Sequence, residues 1–344
     1  MNVSLRGVEI RRRRHAAGQG PAVAWVESPL QMLGVVEAHH AGLLGPATRV
    51  VPRAGLPALR LTRRELARLG PPEGLELAEP SERLARPGRG SRAWVAGDAF
   101  SGRVQLALVT APSGPTVLVD DGLATIRLLE LLVARRPLLR ARGTPGLGRR
   151  ALGAAAAFRL RTRELTVFTA LPVPAGLAEA VEGAGMRLVR HDFAWLRAQP
   201  ADLPPPERTI VLGTSLVRNG LIRRDRYLRW LERIGEPVAY FPHRREDPRD
   251  LDRVRRIRGL TVYDTGAPAE MTLRDLRPDQ RVLSLPSTAV TSLRVLLSAR
   301  GVPVETVDVP EDWWTASAVP SLRSHLQLFA HQPYRPRHPG KVAP

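Results

Sequence analysis

The chain alternates strand-like and helix-like segments from residue 22 to residue 307, and this alternation constrains its fold more than any other feature. Short runs of β-branched and apolar residues, such as residues 209–212 (TIVL), are each followed by a stretch with helical patterning. Strands that alternate with helices usually pair in parallel, because each crossover helix returns the chain to the same end of the sheet. We therefore predict an α/β fold built from doubly wound, Rossmann-like parallel sheets.

A proline-rich segment, PADLPPPE, interrupts the alternation and indicates a linker, because its prolines fit neither a helix interior nor a central strand. The chain has 344 residues, which is enough for two domains with separate cores. We expect a flexible basic extension over residues 1–20, an N-terminal domain over 21–199, the linker over 200–207, a C-terminal domain over 208–310 and a tail over 311–344 that packs back on the N-terminal domain.

The chain is strongly basic, and its formal net charge of +19 comes almost wholly from arginine, since Lys341 is the single lysine. This excess favours anionic partners: a polymer, a phosphorylated substrate or a membrane surface. Cysteine is absent, which excludes disulfides, and no apolar run approaches the eighteen residues of a membrane span, so we expect cytoplasmic residence.

Residues 128–143 (LLELLVARRPLLRARG) combine leucine with arginine and allow two interpretations. An ordinary surface helix would turn its leucines to the core. Alternatively, the segment contacts an anionic polymer or lies peripherally on the inner face of an anionic membrane.

A nucleic-acid-binding protein is a different class that the charge also allows. However, aromatic residues make up only 5% of the chain and the arginines are scattered, so we expect no nucleic acid partner.

Polar residues follow most of the predicted strands. Ligands of doubly wound sheets bind beyond the carboxyl ends of the strands, so these residues are candidates for one interdomain cleft. Taken singly, each fits a turn or a helix N-cap equally well. They are Ser28 and Gln31, Gly97 and Asp98, Asp120, Asp121 and Gly122, Gly213, Thr214 and Ser215, Pro242, His243 and Arg244, Glu270, and Ser287 and Thr288.

Taken as an ordered set, these motifs resemble those of the bacterial GT-B sialyltransferases, and most closely the polysialyltransferase-type family that makes capsule polysaccharide. The similarity covers about residues 22–300 and rests on short motifs. They are SPLQ (28–31), Gly97-Asp98 with Ser101, Asp120-Asp121-Gly122, PHRRE (242–246) and Ser287-Thr288. The resemblance implies a GT-B fold, with two Rossmann-like domains facing a central cleft.

The resemblance also implies an activity: inverting, metal-independent transfer of sialic acid from a CMP-activated donor to a glycan hydroxyl, with no cofactor. Asp120 would then be the base and His243 the acid or phosphate donor, while Asp121 beside Asp120 would raise one pKa of the pair. Glu270 would bind the ribose hydroxyls.

Two helix-entry segments complete the expected donor site. Ser287 and Thr288 would hold the CMP phosphate at a helix N-terminus. The Gly213-Thr214-Ser215 loop would lie near the cytidine or the phosphate.

The sequence departs from the family pattern after His243, where Arg244 replaces the usual proline and Pro242 stands in front. Three alternatives therefore stay open. The donor could be another CMP-activated acid such as Kdo, it could be a UDP- or GDP-sugar, or the chain could be a catalytically degenerate member.

Overall fold

The protein forms two parallel sheets, each covered by helices. The computed structural model describes residues 18–88, 90–122, 124–140, 145–200, 202–320, 322–324 and 326. Most of the expected extension over residues 1–20 and the end of the expected tail lie outside these residues.

The N-terminal sheet has seven parallel strands in the order β3-β2-β1-β4-β5-β6-β7. Its strands are β1 (Ala22–Val26), β2 (Thr48–Pro52), β3 (Leu75–Leu77), β4 (Trp94–Ala96), β5 (Thr116–Val119), β6 (Leu165–Thr169) and β7 (Arg187–Arg190). Its helices are α1 (Pro29–His40), α2 (Pro57–Leu69), α3 (Gly102–Thr110), α4 (Ala124–Val133), α5 (Leu147–Thr162), α6 (Ala175–Gly183) and α7 (Ala194–Ala198).

The C-terminal sheet has five parallel strands in the order β10-β9-β8-β11-β12. Its strands are β8 (Thr209–Leu212), β9 (Val238–Phe241), β10 (Leu260–Val262), β11 (Arg281–Ser284) and β12 (Val304–Thr306). Its helices are α8 (Ser215–Arg218), α9 (Arg224–Glu232), α10 (Pro248–Val254), α11 (Ala269–Thr272) and α12 (Thr288–Leu297), with short 3₁₀ turns over Ser298–Arg300 and Glu311–Trp313.

Both sheets reverse their winding direction beside their first strand. In the N-terminal sheet, β1 lies between β2 and β4, and in the C-terminal sheet β8 lies between β9 and β11. At such a switch point the neighbouring crossovers leave on opposite faces, and a crevice opens beyond the strand ends. The predicted α/β architecture of two doubly wound Rossmann-like sheets, which is the GT-B arrangement, is therefore confirmed.

Local sequence explains where the helices begin and end. Ser28 caps α1 by accepting a hydrogen bond from the backbone of Gln31, and Pro29 occupies the first turn. Helix α4 ends at Val133, ahead of Pro137, and its leucines are buried. The helical part of residues 128–143 is therefore a surface helix that turns its leucines to the core.

The two halves share part of their hydrophobic core. Apolar residues that lie just before and within α7, among them Phe193 and Leu196, belong to the same buried cluster as Leu293 and Leu296 of α12. Arg197 adds hydrogen bonds to the backbone carbonyls of α12, including one of 3.1 Å to Leu296. This contact joins the two halves on one side of the cleft.

The proline-rich segment is held against the C-terminal half by side-chain hydrogen bonds. Gln280 donates to the carbonyl oxygens of Pro205 and Glu207 at 2.8 Å each, and Tyr263 donates to the Glu207 carboxylate at 2.9 Å. The segment therefore enters β8 in a fixed path.

The described part of the tail does not reach the N-terminal domain, where the tail was expected to pack. Trp313 and Trp314 are buried in the core cluster of the C-terminal half, together with Tyr227 of α9. Trp314 also forms a β-bridge with Ile222. The two indoles find their apolar contacts beside α9, so the described part of the tail packs on the C-terminal domain.

None of the described helices is long and apolar enough to cross a lipid bilayer.

Candidate functional site

The acidic pair lies at the carboxyl end of β5, where the N-terminal sheet approaches α12. Gly122 follows the pair with a φ of +71°, a conformation that favours glycine. A Cβ atom at position 122 would lie 2.5 Å from Cγ2 of Thr288. Gly122 therefore allows the N-terminal sheet edge to meet the first residue of α12, and the two predicted motifs face each other across the cleft.

Asp120 points into the N-terminal domain and is only 3% exposed. Its carboxylate accepts a hydrogen bond of 2.5 Å from the Thr169 hydroxyl and one of 2.6 Å from the Ala170 backbone, both at the end of β6. Burial raises its pKa to about 6, against the lowering effect of these donors. Asp120 thus fixes the end of β6 and does not face the cleft.

Asp121, in contrast, is half-buried and lies beside α1. Its Oδ1 accepts a hydrogen bond of 2.6 Å from Gln31 and a longer one of 3.4 Å from Ser28. Burial raises the pKa of Asp121 to about 6, and the negative charge of Asp98 adds to this increase. Of the two carboxylates, Asp121 is the one that a ligand in the cleft can reach.

Gln31 holds Asp121 in place because Gly97 leaves room for it. The Gln31 side chain accepts a hydrogen bond of 2.7 Å from the Glu27 backbone through Oε1, while its Nε2 donates to Asp121. A Cβ atom at position 97 would lie 2.1 Å from Cγ of Gln31. The site therefore requires glycine at position 97 to admit the side chain that orients Asp121.

Asp98 completes the N-terminal side of the cleft. Its Oδ1 accepts a 2.9 Å hydrogen bond from the Phe100 backbone, and its Oδ2 forms an ion pair with Arg140. Arg140 lies in the basic segment 128–143 and was not among the predicted site residues. Arg140 brings a positive charge that lowers the pKa of Asp121, and so it belongs to the surroundings of the acidic pair.

Glu246 organises the C-terminal side by binding two loops at once. Its carboxylate accepts hydrogen bonds from the backbone of His243 at 3.0 Å and of Thr214 at 3.3 Å, and one from the Tyr240 hydroxyl. A Cβ atom at Gly213 would lie 2.6 Å from the Glu246 carboxylate. Glu246 belongs to the PHRRE motif, but no role was predicted for it. It joins the two loops only because strands β8 and β9 are neighbours in the sheet.

His243 follows β9 and is neutral at pH 7 in the absence of a ligand. Burial, together with the positive charges of Arg244 and Arg245, lowers its pKa to about 4. Its Nδ1 lies 3.1 Å from the Arg245 backbone nitrogen, which donates to it. The ring proton is therefore on Nε2, which is the tautomer that can donate a hydrogen bond to an anion.

Arg244 links the two sides of the cleft electrostatically. It is exposed, and its positive charge lowers the pKa of Asp121 in the N-terminal half. The same charge acts on Glu270 in the C-terminal half, whose pKa is raised by burial and lowered by the Ser292 hydroxyl and by Arg244. Glu270 itself is buried against α12 and accepts a hydrogen bond of 2.5 Å from Ser292.

The remaining predicted residues lie at helix entries. Ser287 is the N-cap residue of α12 but makes no capping hydrogen bond through its side chain, and Thr288 is the first residue of that helix. Thr214 caps α8 with its hydroxyl, which accepts from the Leu216 backbone at 3.1 Å. The first backbone N–H groups of α12 have no acceptor within the helix. These groups and the positive end of the helix dipole therefore lie on the side of the acidic pair.

The predicted residues thus occupy two facing edges. Ser28, Gln31, Gly97, Asp98 and the acidic pair lie on the N-terminal edge. The loops that carry Gly213, Thr214, Ser215, Pro242, His243, Arg244, Ser287 and Thr288 lie on the C-terminal edge. Among the described residues, no group of three or more His, Asp or Glu side chains is arranged to hold a metal ion.

Comparison with known proteins finds similarity among solved structures. No protein-family model matches the chain, and no curated protein matches it. Among solved structures, the chain is similar to the crystal structure of Arabidopsis thaliana UGT89C1 complexed with UDP-L-rhamnose. The TM-score is 0.44 and the sequence identity 11%, over 91% of this chain and 90% of that one. A similarity at this TM-score and identity does not identify an activity.

Proposed function

We propose that the chain is an inverting glycosyltransferase that transfers sialic acid, or a closely related acidic sugar, from a CMP-activated donor to a glycan hydroxyl. One observation carries the proposal. A half-buried carboxylate, Asp121, on one sheet faces a group of anion-binding features on the other. These features are Arg244, the Nε2–H of His243 and the N-terminus of α12.

Asp121 serves as the base in this proposal, although the sequence prediction gave that role to Asp120. Asp120 is buried and its oxygens are engaged by Thr169 and Ala170, whereas Asp121 is partly exposed. A base must come within hydrogen-bond reach of the proton that it removes. Asp120 then acts as a positioning residue that fixes the turn beneath Asp121.

The reaction follows from this arrangement as a single displacement. Asp121 takes the proton of the acceptor hydroxyl while that oxygen forms a bond to the anomeric carbon of the donor sugar. The bond between this carbon and the donor phosphate breaks on the opposite side, which inverts the configuration. CMP leaves with the electron pair, and its phosphate charge is stabilised by His243, Arg244 and the α12 dipole.

A thermal-shift comparison of CMP, CDP, UDP and GDP tests the donor class. A ligand that binds only the folded state stabilises it, by about 2.7 kcal/mol at a hundred times its Kd. We expect a selective shift with CMP. A selective shift with UDP or GDP would contradict the CMP assignment and leave a transferase with another donor. No shift with any nucleotide, together with retention of RNA in filter binding, would instead indicate a nucleic-acid-binding protein.

Transfer from labelled CMP-sialic acid to a panel of glycan acceptors tests the roles of the acidic pair. We expect Asp121→Asn to lower transfer by about 10²–10⁴-fold, the usual contribution of a positioned base. His243→Gln, which keeps a side-chain N–H donor, should retain more activity than His243→Ala. If the Asp121→Asn variant transfers normally and the Asp120→Asn variant is inactive, Asp120 is the base and the proposed role of Asp121 is wrong.

A further inference from the structure

A continuous part of the N-terminal domain carries many arginines and no acidic residue of its own, and Arg140 within it pairs with Asp98 from outside the segment. Residues 131–163 contain nine arginines and neither aspartate nor glutamate, in a chain whose formal net charge is +19. About a tenth of the chain therefore supplies close to half of its excess charge. This segment includes the end of α4, the following turn and all of α5.

The outer face of α5 exposes large apolar side chains. Leu147 is 85% exposed and Phe158 is 57% exposed. The two residues are eleven positions apart, which is about three helical turns, so they share one face of the helix. Ala151 and Ala154 lie exposed between them. A surface helix normally turns its polar side outward, so two large exposed apolar side chains on α5 are a departure from that pattern.

Helix α5 is firmly attached to the domain by its inner side. Arg149 donates hydrogen bonds of 2.5 Å to the Phe100 carbonyl and to the Gln105 side chain, and Arg163 donates one of 2.7 Å to the Leu108 carbonyl. These arginines fix α5 against α3. The apolar outer face is therefore presented on a rigid element.

Other arginines of the segment surround this face. Arg150 is exposed one turn from Leu147, and Arg135 and Arg136 are exposed in the turn after α4. The Leu138 backbone donates a hydrogen bond of 3.1 Å to the Gly153 carbonyl, which holds the segment after α4 against α5. Basic and apolar side chains thus occur together on one surface.

We propose that the outer face of α5, with Arg135, Arg136 and Arg150 beside it, docks on an anionic lipid surface. Charge complementarity selects an anionic partner, because the segment has no carboxylate to repel one. The exposed Leu147 and Phe158 select a lipid over a nucleic acid or a polysaccharide. A polyanion needs no large aliphatic contact, whereas a helix that lies in a membrane interface inserts its apolar side chains. This inference is independent of the proposed transferase activity.

Vesicle flotation tests the proposal directly. The full chain should float with vesicles of phosphatidylcholine and phosphatidylglycerol and should stay unbound with phosphatidylcholine alone. The variant with Arg135→Gln, Arg136→Gln and Arg150→Gln should bind about a hundredfold more weakly, since each arginine near an anionic leaflet contributes about fivefold. The variant with Arg253→Gln, Arg256→Gln and Arg258→Gln is the matched control, because it loses the same charge from the exposed surface of the C-terminal half.

The apolar contribution needs its own variant. Leu147→Ser combined with Phe158→Ser should weaken binding by about tenfold or more, because the charge remains while the inserted groups are lost. Leu203→Ser is the control, since Leu203 is 97% exposed and lies outside the segment. Circular dichroism of each variant verifies that the fold is retained.

A fluorescent label distinguishes insertion from simple charge attraction. The chain has no cysteine, so Leu147→Cys or Leu203→Cys each provides one site for an environment-sensitive fluorophore. With anionic vesicles, emission from position 147 should shift to shorter wavelength, and emission from position 203 should not. A label at position 147 that is already shielded without vesicles would show that another segment or a second copy covers the face, and it would overturn the proposal.

Two further outcomes of flotation would also overturn it. One is the absence of binding to anionic vesicles at low salt. The other is binding that the Leu147→Ser, Phe158→Ser variant leaves unchanged and that RNA or heparin competes away. That second result would identify a general polyanion surface.

Discussion

Two carboxylates that are adjacent in the sequence have different surroundings in the folded protein. Asp120 is enclosed by the end of β6, and Asp121 lies in the cleft beside Gln31. Burial raises the pKa of both to about 6, so each can exchange a proton in a physiological pH range. Only Asp121 combines this property with access to a substrate.

The pH dependence of transfer should report the surroundings of Asp121. The base must be deprotonated, so kcat/KM should rise with pH up to about 6 and then level off. Asp98→Asn removes the negative charge that raises the pKa of Asp121 and separates Arg140 from its ion-pair partner. We expect the acid limb of the profile to move down by about one pH unit.

The matched control for this prediction is Asp264→Asn, because Asp264 is exposed and lies in the C-terminal half. It should leave the profile of kcat/KM in place. An acid limb that stays near pH 6 or moves upward in Asp98→Asn would contradict the role of Asp121 as base.

The sequence predicted the position of the acidic pair but could not decide which member faces the cleft. The continuous apolar run of β5 and the DDG turn that follows it place both residues at the strand end. The choice depends on Thr169 and Gln31, which are distant in sequence and approach only when β6 and β1 take their places in the sheet. Gly97 was predicted as a cleft residue, but its close approach to Gln31 is visible only in three dimensions.

At the level of secondary-structure elements, one carboxylate joins the loops that follow β8 and β9. Glu246 accepts from the backbone of Thr214 in the first loop and of His243 in the second. Burial raises the pKa of Glu246 to about 7. Protonation near neutral pH therefore reduces the number of hydrogen bonds that its carboxylate can accept. The orientation of His243 therefore depends on a residue that does not itself face the donor.

Replacing Glu246 should disturb donor binding more than folding. Glu246→Gln leaves one acceptor oxygen for the two backbone N–H groups, so one loop loses its hydrogen bond. We expect the KM for the nucleotide sugar to rise about tenfold, with faster amide hydrogen exchange at Thr214 or His243.

Tyr240→Phe is the control, because it removes the hydroxyl donor to Glu246 but leaves both loop amides bonded. It should keep the donor KM near that of the parent. If the Gln and Phe variants have the same KM and the same exchange rates, the clamp is not what positions His243.

Several elements differ from the prediction for identifiable reasons. Residues 82–85 (ERLA) form no helix despite their helix-forming side chains, since the segment lies between Pro80 and Pro87 and is too short to form a nucleus. Helix α5 was not anticipated, because its apolar residues are mostly alanine and its exposed face carries Leu147 and Phe158. Its helical propensity comes from alanine and arginine, which a search for amphipathic periodicity does not detect.

At the level of the whole molecule, a buried histidine affects stability at low pH. His191 stacks on Phe168 with ring centroids 4.3 Å apart, and neither of its ring nitrogens has a hydrogen-bond partner in the described part of the chain. Burial lowers its pKa to about 3, below the ordinary value of 6.5. Between these pH values the unfolded chain binds a proton that the native protein does not.

Stability should therefore fall with pH below 6.5, and His191→Phe should remove this part of the dependence. The contribution is about 1.4 kcal/mol for each pH unit until the native ring titrates. Urea unfolding at about pH 7 and pH 4.5 should show the variant gaining stability relative to the parent at the lower pH. His40→Gln is the control, since His40 is exposed, and equal differences at both pH values would contradict the prediction.

The contact between Gly122 and Thr288 has a consequence for how such a protein can change over time. The groups assigned to the acceptor lie on the N-terminal sheet, and those assigned to the donor lie on the C-terminal sheet. The two sets approach at a glycine and a helix entry. If the proposed transferase activity holds, substitutions after the linker can therefore alter the donor specificity while Asp121 and its supports are inherited unchanged. Both halves share one steric constraint. A side chain at position 122 would collide with Thr288 and keep the two sheet edges from meeting.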